Sequence, residues 1–265
     1  MPHMPIYQVD AFTDELFKGN PAAVCPLEAW LPTEVLQLIA AENFLPETAF
    51  FVPTGQPGHY ELRWFTPEIE MDLCGHATLA SAHILMNHLG WDMHQISFHT
   101  QSGVLMVYKQ NERLVLQFPA RPATAASLPP EIAKGMGVYP MEVLKARDYL
   151  LIYHDEEIIR NLRPDRSILD QINLDPGGII VTAKGKTVDF VSRFFTPQAS
   201  IFEDPVTGSA HCSLIPFWSQ QLGKKTMTAL QLSARTGKLY CEDSGDKVLI
   251  GGTCRTYLEG NIFVA

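Results

Sequence analysis

The chain has 265 residues, of which 46% are hydrophobic, so it is long enough to bury a large core. Its 20 basic and 29 acidic residues give a formal net charge of -9, which repels phosphate backbones and anionic lipids and argues against nucleic acid as a partner. No apolar run reaches the roughly 18 to 20 residues of a transmembrane helix, and the start lacks a secretory signal pattern. We therefore expect a cytoplasmic globular protein without a membrane partner.

Metal-binding and cofactor-binding patterns are missing from the sequence. The five cysteines form no C-x-x-C pair, and their odd number predicts reduced thiols rather than a zinc site or a disulfide framework. The nine histidines show no H-E-x-x-H or comparable spacing. No G-x-G-x-x-G follows a strand-like run, as dinucleotide binding would require. We predict neither a metal nor a cofactor.

The first helix is predicted over residues 31–43, and a glutamate follows it. Pro46 ends the helix, and Glu47 opens a predicted strand that runs from Thr48 to Val52. A carboxylate between a proline and an apolar strand is partly desolvated, which suits a general base. A solvated glutamate at a strand edge is the more common alternative. The predicted apolar face of the helix consists of Leu31, Val35, Leu38 and Ile39.

An internal repeat organises the chain. The segment Arg63–Pro67 recurs as Arg193–Pro197, each closing a strand-like run. A glycine-led apolar helix follows in each half, starting at Gly75 and Gly208. We therefore predict two similar domains, 1–119 and 120–265, joined through a proline-rich linker at 119–130, with the last strand able to pack on the first domain.

The two predicted helices differ in one detail. The first, from His76 to Leu89, is apolar on nearly every face, as expected of a helix enclosed by sheet. The second contains Pro216, which cannot donate a hydrogen bond to the carbonyl of Cys212 and is expected to kink the helix.

Glycine at each helix start suggests an anion-binding position. The first backbone N–H groups of a helix have no helical partner, and glycine lets a ligand approach closely. Two such starts, at Gly75 and Gly208, would together hold a carboxylate and the enolate that forms on proton loss, if the two halves face each other. Packing alone is the alternative reason for a glycine at either position.

Three reactive side chains lie near these helix starts. Cys74 and His76 flank Gly75, so a thiol and an imidazole sit where a helix terminus favours a thiolate. A buried cysteine without a catalytic role is the alternative. We align Cys74 with Pro205 in the second half, which excludes a symmetric pair of thiols. Asp204 precedes the second helix, where it would orient His76 or a substrate hydroxyl, or cap the helix.

Five blocks of sequence occur in order along the whole chain: Val9–Phe12, Gly19–Val24, Glu47–Phe50, Asp72–Thr78 and Glu203–Ala210. Together they resemble the PhzF family of phenazine biosynthesis-like isomerases.

The resemblance implies an α+β fold similar to diaminopimelate epimerase, in which each of two domains wraps a mixed barrel-like sheet around a central helix, with the active site between them. It also implies a homodimer that needs no cofactor. Glu47 would be the acid and base that moves a proton within a small carboxylate-bearing substrate. The residues that would bind the substrate or assist the transfer are Cys74, Gly75, His76, Asp204, Gly208 and Ser209.

Two alternatives to a Glu47-dependent isomerase stay open. Related racemases use a cysteine in each half, whereas this sequence has only Cys74, so a Cys74-dependent epimerase is the first alternative. A metabolite-binding protein that keeps the fold and turns over nothing is the second.

Overall fold

The computed structural model of the chain describes residues 3–174 and 177–264. The chain forms two compact units. The first contains residues up to Gln117 together with those from Ile250 onward, and the second runs from Phe118 to Leu249. Both units combine helices with runs of consecutive strands, so the fold is of the predicted α+β class.

The elements of the first half of the chain are β1 (His3–Ala11), β2 (Asn20–Pro26), α1 (Thr33–Asn43), β3 (Glu47–Pro53), β4 (His59–Phe65), β5 (Glu70–Met71), α2 (Gly75–Asn87), β6 (Gln95–Thr100), β7 (Gly103–Gln110) and β8 (Arg113–Pro119). Those of the second half are β9 (Thr124–Ala125), α3 (Pro130–Met136), β10 (Glu142–Lys145), β11 (Tyr149–Ile152), α4 (Glu156–Asn161), α5 (Arg166–Leu169), β12 (Ile179–Lys184), β13 (Phe190–Phe195), β14 (Glu203–Asp204), α6 (Gly208–Leu222), β15 (Thr226–Gln231), β16 (Gly237–Asp243), β17 (Lys247–Gly252) and β18 (Cys254–Phe263).

The same mixed pairing pattern occurs twice. In the first unit β2 pairs with β3, and β4 with β6, in parallel, while β3–β4 and β6–β7 are antiparallel. In the second unit β11 pairs with β12, and β13 with β15, in parallel, while β12–β13 and β15–β16 are antiparallel. The repeat seen in the sequence is therefore a repeat of sheet topology.

The chain termini close the first unit. Strand β18 pairs antiparallel with β1 from His3 opposite Phe263 to Ala11 opposite Cys254. This pairing assigns the last strand to the first unit, although it lies within the predicted second domain, 120–265. The predicted linker is also partly structured, because β9 pairs with β10.

The glycine-led helix of the first unit is enclosed as predicted. Ten of the thirteen residues of α2 are buried, and the helix contacts β1, β2, β3 and β18. Burial on all sides explains why nearly every face of this helix is apolar. None of the described helices combines the length and apolarity needed to cross a membrane.

Helix α6 runs without interruption through Pro216. Proline cannot donate to the carbonyl of Cys212, and that carbonyl instead accepts the backbone N–H of Arg121 at 2.9 Å. The Ser213 hydroxyl returns a bond to the Arg121 carbonyl at 2.8 Å. The Cys212 carbonyl, which has no helical donor because of Pro216, therefore obtains a hydrogen bond from the segment around Arg121.

The predicted buried face of α1 is partly wrong. Leu36 and Ala40 are its buried residues, and they pack in one cluster with Phe50 and Phe65. Leu38, placed on the core face by sequence, is 69% exposed. The helix is turned so that the residues four apart at 36 and 40 meet the sheet.

An arginine–glutamate pair supports each repeated motif. Arg63 binds Glu70 with two hydrogen bonds of 2.7 Å, and Arg193 binds Glu203 with bonds of 2.7 and 3.0 Å. Such two-point pairs fix geometry as well as charge. They link β4 to β5 and β13 to β14, the short strands that precede the glycine-led helices.

Candidate active site

Glu47 is the first residue of β3, as predicted, and lies beside Ala22 of β2 in the parallel register. Its side chain is 15% exposed, and one carboxylate oxygen, Oε2, is shielded from solvent. The carboxylate is therefore mostly buried, and a solvated strand-edge position does not describe it.

His76 contacts this carboxylate. It is the second residue of α2, its side chain is 4% exposed, and its Nε2 lies 3.2 Å from Glu47 Oε2. Burial lowers the pKa of His76 to about 3, and a hydrogen bond to the Pro21 backbone opposes this shift. The imidazole is thus neutral near pH 7, so its 3.2 Å contact with Glu47 is not an ion pair.

Two further groups meet the other nitrogen of the same ring. Asn20 Nδ2 is 3.1 Å from His76 Nδ1, and Cys74 Sγ is 3.6 Å from it. Asn20 is fully buried, and Cys74 is 5% exposed at the N-cap of α2. The sequence alone assigns Asn20 no role, because 56 positions separate it from His76. Only its place beside Gly19 in a resembling block drew attention to it.

A metal ion could be held by three of these residues. The ligand atoms of Glu47, Cys74 and His76 lie within 4.8 Å of one another, and carboxylate, thiolate and imidazole are all zinc ligands. The carboxylate and the sulfur, however, approach different ring nitrogens, and each nitrogen has one lone pair. The carboxylate and the sulfur therefore do not converge on one ring nitrogen, and the expectation of no metal stays a prediction.

The second unit holds another polar group, at the start of α6. The Thr207 hydroxyl donates to Asp204 Oδ2 at 2.5 Å, and the Thr207 N–H donates to Gln231 Oε1 at 2.9 Å. The Gln231 amide donates in turn to the Asp204 carbonyl at 2.8 Å. Asp204 thus helps to shape the loop before the helix. Gln231, buried at the end of β15, was missed because nothing in its sequence context marks it.

The two helix starts are alike in their capping. Neither Cys74 nor Thr207, the two N-cap residues, accepts a hydrogen bond from its helix through its side chain. Gly75 and Gly208 are both buried. First-turn N–H groups without an N-cap acceptor favour an anion. This equivalence also corrects the alignment, because Thr207 rather than Pro205 corresponds to Cys74, and it is not a thiol.

The structure thus brings together Glu47, Cys74, Gly75 and His76 in the first unit. Asp204, Gly208 and Ser209 are brought together in the second, where Ser209 is half-buried at the helix position that His76 occupies in α2. Of the predicted residues, Glu47 and Cys74 each lie close to His76, at 3.2 and 3.6 Å.

Comparison with known proteins places the chain in a family. The sequence model described as "Phenazine biosynthesis-like protein" matches residues 9–260. An uncharacterized isomerase of Pseudomonas aeruginosa is 48% identical over 259 residues, covering 98% of both chains. A human phenazine biosynthesis-like domain-containing protein is 38% identical over 285 residues, covering 98% of this chain and 99% of the relative.

Solved structures agree with this placement. The crystal structure of a PhzF family protein from Enterococcus faecalis has a TM-score of 0.94 and 46% identity, covering 99% of this chain and all of that one. A hydroxyproline epimerase from Agrobacterium vitis, with bound trans-4-hydroxy-L-proline, has a TM-score of 0.63 at 10% identity and covers 98% and 92%. The second likeness shows a shared fold.

Proposed function

This chain belongs to the phenazine biosynthesis-like PhzF family of isomerases, and from that premise we propose that Glu47 is its general acid and base. The substrate is a small carboxylate-bearing molecule with an acidic C–H beside a carbonyl or a double bond. The observation that carries the proposal is the 3.2 Å contact between the mostly buried Glu47 carboxylate and the neutral imidazole of His76.

The reaction moves one proton within the substrate. The Glu47 carboxylate removes the proton from carbon, and the electron pair left behind moves into the neighbouring carbonyl or double bond. Protonated Glu47 then returns the proton to a different carbon, which completes the isomerisation. No electron enters or leaves, so the reaction balances without an oxidant or reductant.

The surroundings of Glu47 supply what this step requires. The buried His76 ring lies 3.2 Å from one carboxylate oxygen of Glu47 and restricts its movement, so the base is positioned before the substrate arrives. The glycine start of α2 offers backbone N–H groups to the negative charge that develops on the substrate. Roles for Asp204, Gly208 and Ser209 in the same reaction rest on the family resemblance.

The proposal is tested by replacing Glu47 with Gln and following hydrogen exchange in heavy water. A panel of small cyclic and amino carboxylic acids is first screened for acids that raise the melting temperature, because a ligand of the folded state stabilises it. Each acid found is then incubated with enzyme, and deuterium uptake at carbon is measured by NMR. We expect Glu47→Gln to lower the rate by about 100-fold or more.

The matched control is Glu42→Gln, which makes the same substitution at an exposed glutamate of α1. We expect this variant to exchange at the wild-type rate. Undiminished exchange in Glu47→Gln would refute the proposal.

A second candidate base is Cys74, favoured by its sulfur contact with His76 at 3.6 Å. In this alternative the enzyme is an epimerase in which a thiolate removes the proton. Burial of Cys74 and the absence of a thiol from the matching N-cap, Thr207, speak for the carboxylate.

A further inference from the structure

Thr207 is the N-cap residue of α6, but its hydroxyl does not cap the helix. A threonine at this position usually accepts a hydrogen bond from a backbone N–H of the first helical turn. The Thr207 side chain accepts none from the helix. Instead, the buried hydroxyl lies 2.5 Å from Asp204 Oδ2. The hydroxyl is therefore used by the loop before α6 rather than by the helix.

The sheet of the second unit brings Gln231 next to this loop. Strand β15 pairs with β13 where Gln231 lies opposite Ser192. Strand β14 pairs with the same strand where Asp204 lies opposite Phe194. Because β12 pairs with the other edge of β13 over its whole length, β14 and β15 follow each other along one edge. This topology places the Gln231 side chain, which is 1% exposed, beside the loop that carries Asp204.

A backbone N–H fixes the orientation of the Gln231 amide. The Thr207 N–H can only donate, so the Gln231 atom that lies 2.9 Å from it is the amide oxygen. The amide nitrogen therefore lies on the other side of the group. There it donates to the Asp204 carbonyl at 2.8 Å and to Thr207 Oγ1 at 3.1 Å. A carbonyl oxygen can only accept, which agrees with this orientation.

The amide in turn fixes the direction of the Thr207 hydroxyl. An amide nitrogen cannot accept a hydrogen bond, so the hydroxyl cannot donate to it. The hydroxyl oxygen accepts from Gln231, and its proton is directed to Asp204 Oδ2. Hydrogen bonds that follow one another in this way strengthen each other. Without the Gln231 donor, the hydroxyl could instead accept from the first turn of α6, as a threonine N-cap usually does.

We propose that Gln231 is a positioning residue for Asp204, because its amide turns the Thr207 hydroxyl away from α6 and onto the Asp204 carboxylate. One carboxylate oxygen of Asp204 is then held in a fixed place where the loop enters the helix. The importance of this arrangement for catalysis rests on the proposed function, in which the family resemblance gives Asp204 a role. The direction of the Thr207 hydroxyl does not depend on that function.

The direction of the hydroxyl is tested by a crystal structure of Gln231→Met, which removes both amide donors and keeps an apolar side chain of similar length. We expect Thr207 Oγ1 to leave Asp204 Oδ2 and to accept from a first-turn N–H of α6. A hydroxyl that stays within hydrogen-bond distance of Asp204 Oδ2 would overturn the proposal. If Gln231→Met does not fold, Gln231→Glu replaces it, since an ionised glutamate keeps an acceptor for the Thr207 N–H but has no donor.

Deuterium exchange into an acid found by the melting-temperature screen measures the consequence for catalysis. We expect Gln231→Met to lower the exchange rate at saturating acid by about tenfold or more, since a misplaced group can cost up to ~10²-fold. The matched control is Gln198→Met, because Gln198 is exposed and its amide likewise donates to an aspartate carbonyl, that of Asp170, at 3.0 Å. We expect this control to exchange at the wild-type rate.

Variants of Thr207 test whether Gln231 acts through the hydroxyl. Thr207→Val removes the hydroxyl, and we expect it to lower the exchange rate about as much as Gln231→Met does. The double variant should then lose no more than Thr207→Val alone, because the two residues act as one unit. Thr207→Ser keeps a hydroxyl and should recover most of the rate. Losses that multiply in the double variant would overturn an action through Thr207.

The structural and catalytic results can fail separately. Unchanged exchange in a Gln231→Met protein whose Thr207 hydroxyl has turned to α6 would overturn the positioning role in catalysis. Undiminished exchange in Glu47→Gln, by contrast, removes the proposed base and leaves the result on the Thr207 hydroxyl standing.

Discussion

The two halves of the chain share a backbone plan but not a set of reactive side chains. At the start of β3 the first half has Glu47, whereas the matching position, just before β12, is Gly178. At the two helix starts Cys74 and His76 correspond to Thr207 and Ser209. The match at Glu47 follows from equal sheet registers, in which Thr48 pairs with Phe65 and Ile179 pairs with Phe195.

The second half has no room for a base at that position. A Cβ on Gly178 would lie 2.4 Å from Phe194 Cζ and 2.8 Å from the Phe195 carbonyl oxygen. A side chain there would require both the ring and the neighbouring strand to shift. The duplication therefore supplies two similar scaffolds, and packing confines the carboxylate to one of them.

The arginine–glutamate pairs provide the largest expected difference in stability between the halves. Arg193 is 10% exposed and also donates to the carbonyls of Ile159 and Leu162, whereas Arg63 is 23% exposed. We expect Arg193→Leu to lower the free energy of unfolding by about 3 kcal/mol, because it leaves buried acceptors without a donor.

Its matched counterpart is Arg63→Leu, with an expected loss of about 1 kcal/mol or less. Urea unfolding of both variants measures the difference. Equal losses of unfolding free energy in the two variants would show that the deeper burial of Arg193 does not make its pair more important for stability.

Gly178→Ala tests whether the position equivalent to Glu47 in the second half has room for a side chain. The added methyl group would overpack the contact between β12 and β13, and we expect a loss of roughly 1 to 3 kcal/mol. Gly260→Ala is the control, since the nearest atom to a Cβ there is 3.9 Å away. Thermal unfolding of both variants decides the point. A Gly178→Ala protein as stable as the control would show that position 178 has room for a side chain.

A smaller difference concerns pH. One turn into each helix, a side chain binds the N-cap carbonyl: Thr78 does so in α2 and His211 in α6. Burial lowers the pKa of His211 to about 4. His211 therefore binds a proton below about pH 6.5 in the unfolded chain but only below about pH 4 in the folded chain. The free energy of unfolding therefore falls as the pH drops from about 6.5 to about 4.

His211→Thr gives α6 a threonine at the position that Thr78 occupies in α2, and it removes the side chain that binds this proton. We expect the slope of unfolding free energy against pH to decrease by up to about 1.4 kcal/mol per pH unit between pH 6 and pH 4. His154→Thr, at a side chain 78% exposed, is the control. An unaltered slope in His211→Thr would show that this histidine is charged in the folded protein.

The features that depend on the local order of residues could be predicted from the sequence. The repeat, the α+β class, the glycine-led helices and a strand beginning at Glu47 are all present, because periodicity and proline or glycine boundaries specify them. Leu38 was placed wrongly because α1 contacts the sheet on one narrow face, which only tertiary packing selects. The last strand, β18, belongs to the first unit because it pairs with β1.

Several residues of the candidate site could be predicted from the sequence, but the contacts between them could not. Glu47, Cys74 and His76 were singled out by their positions in motifs. Asn20 and Gln231 were not, because their roles arise from hydrogen bonds to residues 56 and 24 positions away. Long-range hydrogen bonds leave no periodic trace in a sequence.

In the proposed reaction a carboxylate, and not a thiol, removes the substrate proton. The most direct measurement compares deuterium uptake by the same carboxylic acid in Glu47→Gln and Cys74→Ala under identical conditions. We expect a loss of about 100-fold or more for Glu47→Gln and, for Cys74→Ala, a rate much closer to wild type. Loss of exchange in Cys74→Ala with retention in Glu47→Gln would contradict it.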